Sequence, residues 1–149
     1  MVKLGVKAII LSPPDRVLLF HRDNIPTIFF PDCWHCVGGG IETGETSLEA
    51  LRRELSEEAT YVPKNLLYWG KVKGLMNNDV DIFVAFIKRI EEKRFKHHGD
   101  EGQGIGFFSL EEALKLKLTK NTRHFIEQGD FIRKMIKERK LPEDRVYGA

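Results

Sequence analysis

The chain contains few cysteines, with only Cys33 and Cys36 among its 149 residues. So small a number excludes a fold stabilised by a disulfide framework. The two form a C-x-x-C motif, which fits thiol redox chemistry, half of a zinc site, or two buried loop thiols. We favour buried thiols, because the other candidate zinc ligands are His35 and scattered histidines, and three glycines rather than a helix follow Val37.

Long apolar segments and a charge bias are also absent. No apolar run approaches the ~20 residues that span a bilayer, and the N-terminal segment lacks a small-residue cleavage site. Lysine and arginine total 24 against 22 aspartate and glutamate, a net charge of +2, which provides no general attraction to nucleic acid or to a membrane surface. We therefore expect a cytoplasmic protein with neither a nucleic-acid polymer nor a membrane among its partners.

The size of the chain predicts one domain over residues 1–149. A chain with 42% hydrophobic content and this length buries one substantial core, and no repeat or linker divides it. Apolar and β-branched runs predict strands over residues 5–12, 16–21, 34–37, 66–76, 81–90 and 105–108, with a glycine-rich turn over 38–44.

Helix signals lie between and after these strands. Thr46 and Glu49 form a predicted capping box at the start of a helix that continues through Glu58. A helical turn is predicted from Leu110 and a further helix over 122–140. The fold class is therefore α/β in the mixed, α+β sense, with helices covering a mixed or largely antiparallel sheet.

Three carboxylates dominate one face of the first predicted helix. Glu54, Glu57 and Glu58 stand at i, i+3 and i+4, so they project from the same side. Such clustering costs stability unless a cation neutralises it, and oxygen ligands favour Mg²⁺ or Mn²⁺. A solvated acidic face is the alternative for an isolated E-x-x-E-E.

The surrounding segment, GGIETGETSLEALRRELSEEATY over residues 39–61, resembles the Nudix box G-x5-E-x7-R-E-U-x-E-E-x-G-U, where U is a bulky apolar residue. The matching residues are Gly39, Glu45, Arg53, Glu54, Leu55, Glu57 and Glu58. Thr60 replaces the terminal glycine, Tyr61 replaces the last apolar residue, and Val37 stands where a proline usually precedes the box. A β-branched residue at a left-handed helix end costs on the order of 1 kcal/mol, or requires a different exit.

The resemblance to the Nudix hydrolase family implies a Nudix-type fold and a metal-dependent hydrolase that splits a nucleoside diphosphate-X linkage. It implies metal ligation by the backbone carbonyl of Gly38 and by the carboxylates of Glu54, Glu57, Glu58 and Glu101. Glu101 enters through a second resemblance, the E-G-Q segment of MutT-like enzymes, for which an acidic surface loop is the alternative.

The resemblance also assigns roles around the metal. Glu54 and Glu57 are the general-base candidates within the box and Glu101 is the candidate outside it. Arg53 is expected to pair with Glu45 and so to hold the loop against the helix, a role that an ordinary surface salt bridge would not have.

Two residues outside the box are candidate substrate ligands. Arg22 ends the second predicted strand, where it would contact a phosphate or simply be exposed. Asn121 lies ahead of the last helix, where it would read a base as in MutT-like enzymes or serve as a helix N-cap. Trp34, Phe83 and Phe86 offer a stacking surface, although aromatic residues in strands belong more often to the core.

The expected substrate is a small nucleotide-like molecule. Short length and the E-G-Q segment favour a MutT-like nucleoside triphosphate pyrophosphohydrolase, with oxidised nucleotides as one candidate and nucleotide sugars or ADP-ribose as alternatives. A catalytically silent nucleotide-binding module and a thiol or zinc protein are the other classes, and the complete set of box glutamates favours the hydrolase. The resemblance implies a monomer or homodimer.

Overall fold

The computed structural model describes residues 3–142 and confirms the mixed α/β class. The strands are β1 (Gly5–Ser12), β2 (Arg16–His21), β3 (Trp34–His35), β4 (Val37–Gly40), β5 (Leu67–Lys73), β6 (Asp79–Phe86) and β7 (Gly104–Ser109). The helices are α1 (Ser47–Ala59), a 3-10 helix (Arg89–Arg94), α2 (Leu110–Ala113), α3 (Lys120–Ile126) and α4 (Gly129–Glu138).

The strands form one mixed sheet in which β1 is central. Its strand order is β3-β2-β1-β6-β5, while β4 pairs with β1 and β7 pairs with β2. β1 and β6 run parallel, and the other pairs are antiparallel. The short strand β4 is thereby held against β1, with Lys7 opposite Gly38.

The sheet is covered on both faces, as alternation along β1 requires. Ile10 belongs to a buried cluster with Leu51 of α1. Ile9 points to the other face and belongs to a second cluster with Phe125 of α3. Because successive side chains of a strand point to opposite faces, one apolar strand supplies both cores.

Helix α1 begins and ends at residues that the sequence singles out. The predicted capping box is present, since Thr46 Oγ1 accepts from the Glu49 backbone at 3.1 Å and Glu49 Oε1 accepts from the Thr46 backbone at 2.8 Å. The helix ends at Thr60 in the left-handed conformation, with φ 58°. The Thr60 hydroxyl donates to the Ala59 carbonyl at 2.7 Å, which helps to hold this costly conformation.

Several predicted boundaries are wrong. The predicted turn over 38–44 begins as strand β4, because pairing with β1 extends the glycines. The strand predicted over 81–90 stops at Phe86 and gives way to the 3-10 helix, while the one over 66–76 stops at Lys73 before a hairpin turn. The helix predicted over 122–140 is two helices, since Gln128, at φ −92° and ψ 52°, interrupts it before Gly129. Within residues 3–142, no helix is both long and apolar enough to cross a membrane.

Candidate active site

The glycine strand β4 and helix α1 meet at the carboxylate of Glu54. A β-carbon added to Gly39 would lie 2.5 Å from Glu54 Oε1, so any side chain at this position would require the Glu54 carboxylate to move. Glu54 and Glu58 are both buried, with 9% and 7% of their surface exposed. Two acidic side chains are therefore buried inside the fold, and that of Glu54 lies against the glycine strand β4.

Burial and proximity change the acidity of this pair. The pKa of Glu58 is raised to about 9, chiefly by burial, then by a hydrogen bond with Glu54 and by the charges of Glu54 and Glu101. Like charges in a low-dielectric site disfavour a second ionisation, so Glu58 retains its proton near neutral pH. A divalent cation would relieve the same repulsion, and oxygen donors suit a hard ion.

The other two predicted carboxylate ligands lie outside this buried pair. Glu57 is 59% exposed at its side chain, with Oε2 3.6 Å from Arg53 Nη1. Glu101 is exposed in a loop, where its backbone carbonyl is 2.8 Å from His97 Nε2. Across residues 3–142, no three histidine, cysteine, aspartate or glutamate side chains are grouped so as to hold a metal ion. The donor chemistry of the buried pair fits a divalent cation, and Glu57 or Glu101 would complete the set.

Arg53 connects the loop, the glycine strand and the buried carboxylate. Its guanidinium donates to both Glu45 oxygens at 2.8 and 3.0 Å, to the Gly40 carbonyl at 3.1 Å and to Glu54 Oε1 at 3.1 Å. The predicted Arg53–Glu45 pair is thus present. The hydrogen bond from Arg53, then that from the Glu42 backbone, lowers the pKa of Glu45 to about 2.

A β-carbon on Gly38 would meet Lys7, whereas one on Gly39 would meet Glu54, so Lys7 and Glu54 lie on opposite sides of β4. A pocket of about 390 Å³ that Lys7 helps to line opens beside β4. Its lining includes the apolar Phe29, Phe30, Val72, Leu75, Met76 and Val80 and the backbone of 38–40. Among residues 3–142, the charged residues in the lining are Lys3, Lys7 and Arg22, with no aspartate or glutamate. Such a pocket suits a ligand that has an apolar part and an anionic part.

The structure brings the two predicted substrate ligands into this pocket. Arg22 donates to the carbonyls of Phe29, at 2.7 Å from Nη2, and Phe30, at 3.2 Å from Nε, so no carboxylate compensates its charge there. Asn121 lies inside α3, and its Nδ2 is 3.3 Å from the Lys73 carbonyl. Because the N-cap of α3 is Thr119, the alternative N-cap role of Asn121 is wrong.

Sequence reasoning missed Lys7 and His35, which also line the pocket. The Lys7 ammonium donates to His35 Nδ1 at 2.6 Å and to the Cys36 carbonyl at 3.1 Å. Burial, partly offset by nearby acidic groups, lowers the pKa of Lys7 to about 8. Burial and the Lys7 charge hold the pKa of His35 well below its usual range. A lysine within an otherwise apolar strand was the available signal.

The C-x-x-C cysteines and the strand aromatics lie in the packed interior of the fold, outside the pocket. Cys33 and Cys36 are buried free thiols, and burial raises the pKa of Cys36 to about 11, which makes a poor nucleophile. Trp34, Phe83 and Phe86 pack against the two apolar clusters and do not line the pocket. The structure therefore favours buried thiols over a redox or zinc site for the cysteines, and core packing over substrate stacking for the three aromatic residues.

The family model described as the NUDIX domain matches residues 1–129. The chain belongs to the Nudix family. The predicted resemblance is therefore confirmed over most of the chain, beyond the 23-residue box that first indicated it.

Two relatives of this chain have names that describe pyrophosphate hydrolysis. The chain is 33% identical over 116 residues to the ADP-ribose pyrophosphatase of Methanocaldococcus jannaschii, covering 72% of this chain and 62% of that protein. It is 28% identical over 146 residues to the RNA pyrophosphohydrolase of Helicobacter pylori strain G27, covering 89% of this chain and 82% of that one. The chain therefore spans less than two thirds of the first relative.

Solved Nudix structures share the fold. The NUDIX domain of Shewanella oneidensis NrtR, complexed with ADP ribose, has a TM-score of 0.71 at 21% identity and covers 87% of both chains. The MutT protein of Methanosarcina mazei has a TM-score of 0.67 at 23% identity, covering 93% of this chain and 96% of its own. The predicted Nudix-type fold is confirmed.

Proposed function

We propose that this Nudix protein is a metal-dependent hydrolase of a diphosphate linkage in a nucleotide-like substrate. The observation that carries the proposal is the juxtaposition of the buried Glu54–Glu58 pair and a cationic pocket on the two sides of β4. A nucleoside diphosphate-X molecule has the matching parts, an apolar base and a charged diphosphate.

The carboxylates of α1 and the nearby loop are the proposed metal ligands. Glu54 and Glu58, completed by Glu57, Glu101 and the Gly38 carbonyl, would hold Mg²⁺ or Mn²⁺. When bound, such an ion neutralises the diphosphate charge and lowers the pKa of a bound water.

Positioning falls to a second group of residues. Arg53 holds the Glu54 carboxylate in place and, through Glu45, keeps the loop closed on α1. Arg22 and Asn121 lie where a pocket-bound nucleoside or phosphate would meet them.

The proposed general base is Glu57. It is the most exposed of the three box carboxylates, so water can reach it, whereas Glu54 is buried and bonded to Arg53. Glu101 is the alternative base, since it is also exposed. Loss of turnover with retained Mg²⁺ or Mn²⁺ binding in Glu57→Gln, together with retained turnover in Glu101→Gln, would favour Glu57 as the base. The reverse pattern would favour Glu101.

The substrate proposed first is a nucleoside triphosphate, with oxidised nucleotides as one candidate. The names of the relatives support one alternative already considered, ADP-ribose, and add a second, RNA. Each of these places an anionic diphosphate next to an organic group, so the pocket chemistry alone is compatible with all of them.

A substrate panel tests the proposal. Phosphate or pyrophosphate release is measured from nucleoside triphosphates, oxidised nucleotides, nucleotide sugars, ADP-ribose and 5′-triphosphorylated RNA, with Mg²⁺ or with excess EDTA. We expect turnover of at least one compound, loss of that turnover in EDTA, and a large loss in Glu57→Gln. Glu111→Gln, an exposed glutamate on α2, is the matched control and should behave as wild type.

Two outcomes would contradict the proposal. Turnover that persists in EDTA would exclude a metal-dependent mechanism. Absence of turnover of every compound, with ADP still bound, would instead support the catalytically silent nucleotide-binding module.

A further inference from the structure

Lys7 is a cation whose close contacts are all uncharged. It lies partly buried on β1, and its ammonium donates to a histidine nitrogen and to a backbone carbonyl. His35 is neutral, because burial and Lys7 itself disfavour its protonated form. The charges of Glu54 and Glu58 offset only part of the effect of burying this cation, and an anion in direct contact with the ammonium would stabilise it further.

One donor on each residue of the Lys7–His35 pair has no partner. An ammonium has three donors, and two of those of Lys7 are used. Within residues 3–142, the third N–H donates to no acceptor. Since Lys7 occupies Nδ1 of His35, the ring proton sits on Nε2, which likewise has no partner in the described part of the chain. Both residues line the pocket, so these donors remain available to a ligand.

The surroundings specify what this ligand must be. In the described part of the chain, the pocket lining has three cationic side chains and no carboxylate, so an anion is favoured over a second cation or a neutral amide. Lys7 is also opposite Gly38 in the β1–β4 pairing, and a side chain at Gly38 would collide with Lys7 and with the Val6 carbonyl. The ammonium is therefore next to the strand that separates the pocket from Glu54.

We infer that Lys7, oriented by His35, is a substrate-binding residue that contacts a phosphoryl oxygen of the substrate from the pocket side of β4. The inference rests on the proposed function and names one more residue of the same site. In this arrangement the carboxylates on one side of β4 would hold the metal, and Lys7 on the other side contacts phosphate oxygens directly. Lys7 thereby favours substrates that carry phosphate over the corresponding nucleoside.

The test measures binding without metal and without turnover. ADP is titrated into the protein in excess EDTA, followed by calorimetry or by NMR shifts, and adenosine is titrated in parallel. We expect Lys7→Met to raise the Kd for ADP about tenfold or more, the loss typical of a charged hydrogen bond, and to leave the Kd for adenosine within about twofold. Lys71→Met removes an exposed strand lysine that pairs with Asp81, and this control should leave both Kd values unchanged.

Three results would overturn the inference. Wild type could fail to bind ADP, Lys7→Met could bind ADP as tightly as wild type, or that variant could lose adenosine binding to the same extent, which would mean that Lys7 only supports the pocket. A thermal unfolding midpoint close to wild type shows that the variant is folded, and Lys7→Arg, which keeps the charge, should recover part of the affinity. If the wild type hydrolyses a substrate but Lys7→Met binds ADP as tightly as the wild type, only the inference about Lys7 is wrong. If ADP binding depends on Lys7 but no substrate is hydrolysed, only the proposed function is wrong.

Discussion

Replacing Gly39 with alanine should displace the Glu54 carboxylate by a distance that the structure defines. The added β-carbon would lie 2.5 Å from Glu54 Oε1, whereas ordinary contact begins at 3.4 Å, so the carboxylate must retreat by about 0.9 Å. Glu54 is buried and bonded to Arg53, which limits its freedom to adjust. Misplacement of a catalytic group by ~1 Å costs roughly 100-fold in rate, or about 2.7 kcal/mol of transition-state stabilisation.

The assay is metal-dependent turnover of the best substrate from the panel, with kcat and KM measured separately. We expect kcat to fall roughly 100-fold and stability to fall by about 1–3 kcal/mol, as in other overpacked sites. Gly104→Ala is the matched control, because a β-carbon there meets no atom within 4 Å. A Gly39→Ala variant with a kcat within threefold of Gly104→Ala would refute the claim that Gly39 sets the position of Glu54.

Three further predictions concern stability, and urea unfolding measures each of them. Phe125→Ala should cost about 3–5 kcal/mol, because Phe125 is fully buried, whereas the exposed Phe29→Ala should stay within about 0.5 kcal/mol of wild type; equal losses would contradict this. Thr46→Ala should cost about 1 kcal/mol through loss of the N-cap, and no loss would show that the capping box contributes little. The Glu45 carboxylate has a pKa lowered to about 2 from 4.5 by Arg53, so its stabilisation is complete above pH 4.5 and disappears as the pH falls through 2. The stability difference between wild type and Glu45→Gln should shrink over that interval, and a constant difference would contradict the ion pair.

The box residues were predictable because their relationships are local. Helical spacing alone places Glu54 and Glu58 one turn apart, and the Thr46 capping box locates the start of α1. The Arg53–Glu45 pair spans a single loop. The positions of most acidic residues of the site can therefore be predicted from one short segment of sequence.

The pocket was not predictable in the same way, since it depends on long-range pairing. Lys7 of β1 and His35 of β3 meet because β3 pairs with β2 while β4, which follows β3, pairs with β1. Asn121 reaches the same pocket from α3, near the other end of the chain. Local propensity also failed at Gln128, where the apolar period continues across a break between two helices. Tertiary contacts, which no local pattern records, decide these features.

Arg53 makes the box loop and α1 one cooperative unit. Because a single guanidinium joins Glu45, the Gly40 carbonyl and Glu54, the loop detaches from α1 only by breaking the hydrogen bonds of Arg53 to Glu45. Local opening should therefore expose the loop and the glycine strand together, with similar amide-exchange rates, rather than as separate fluctuations. We therefore expect few molecules in which α1 is ordered while the loop and the glycine strand are detached from it.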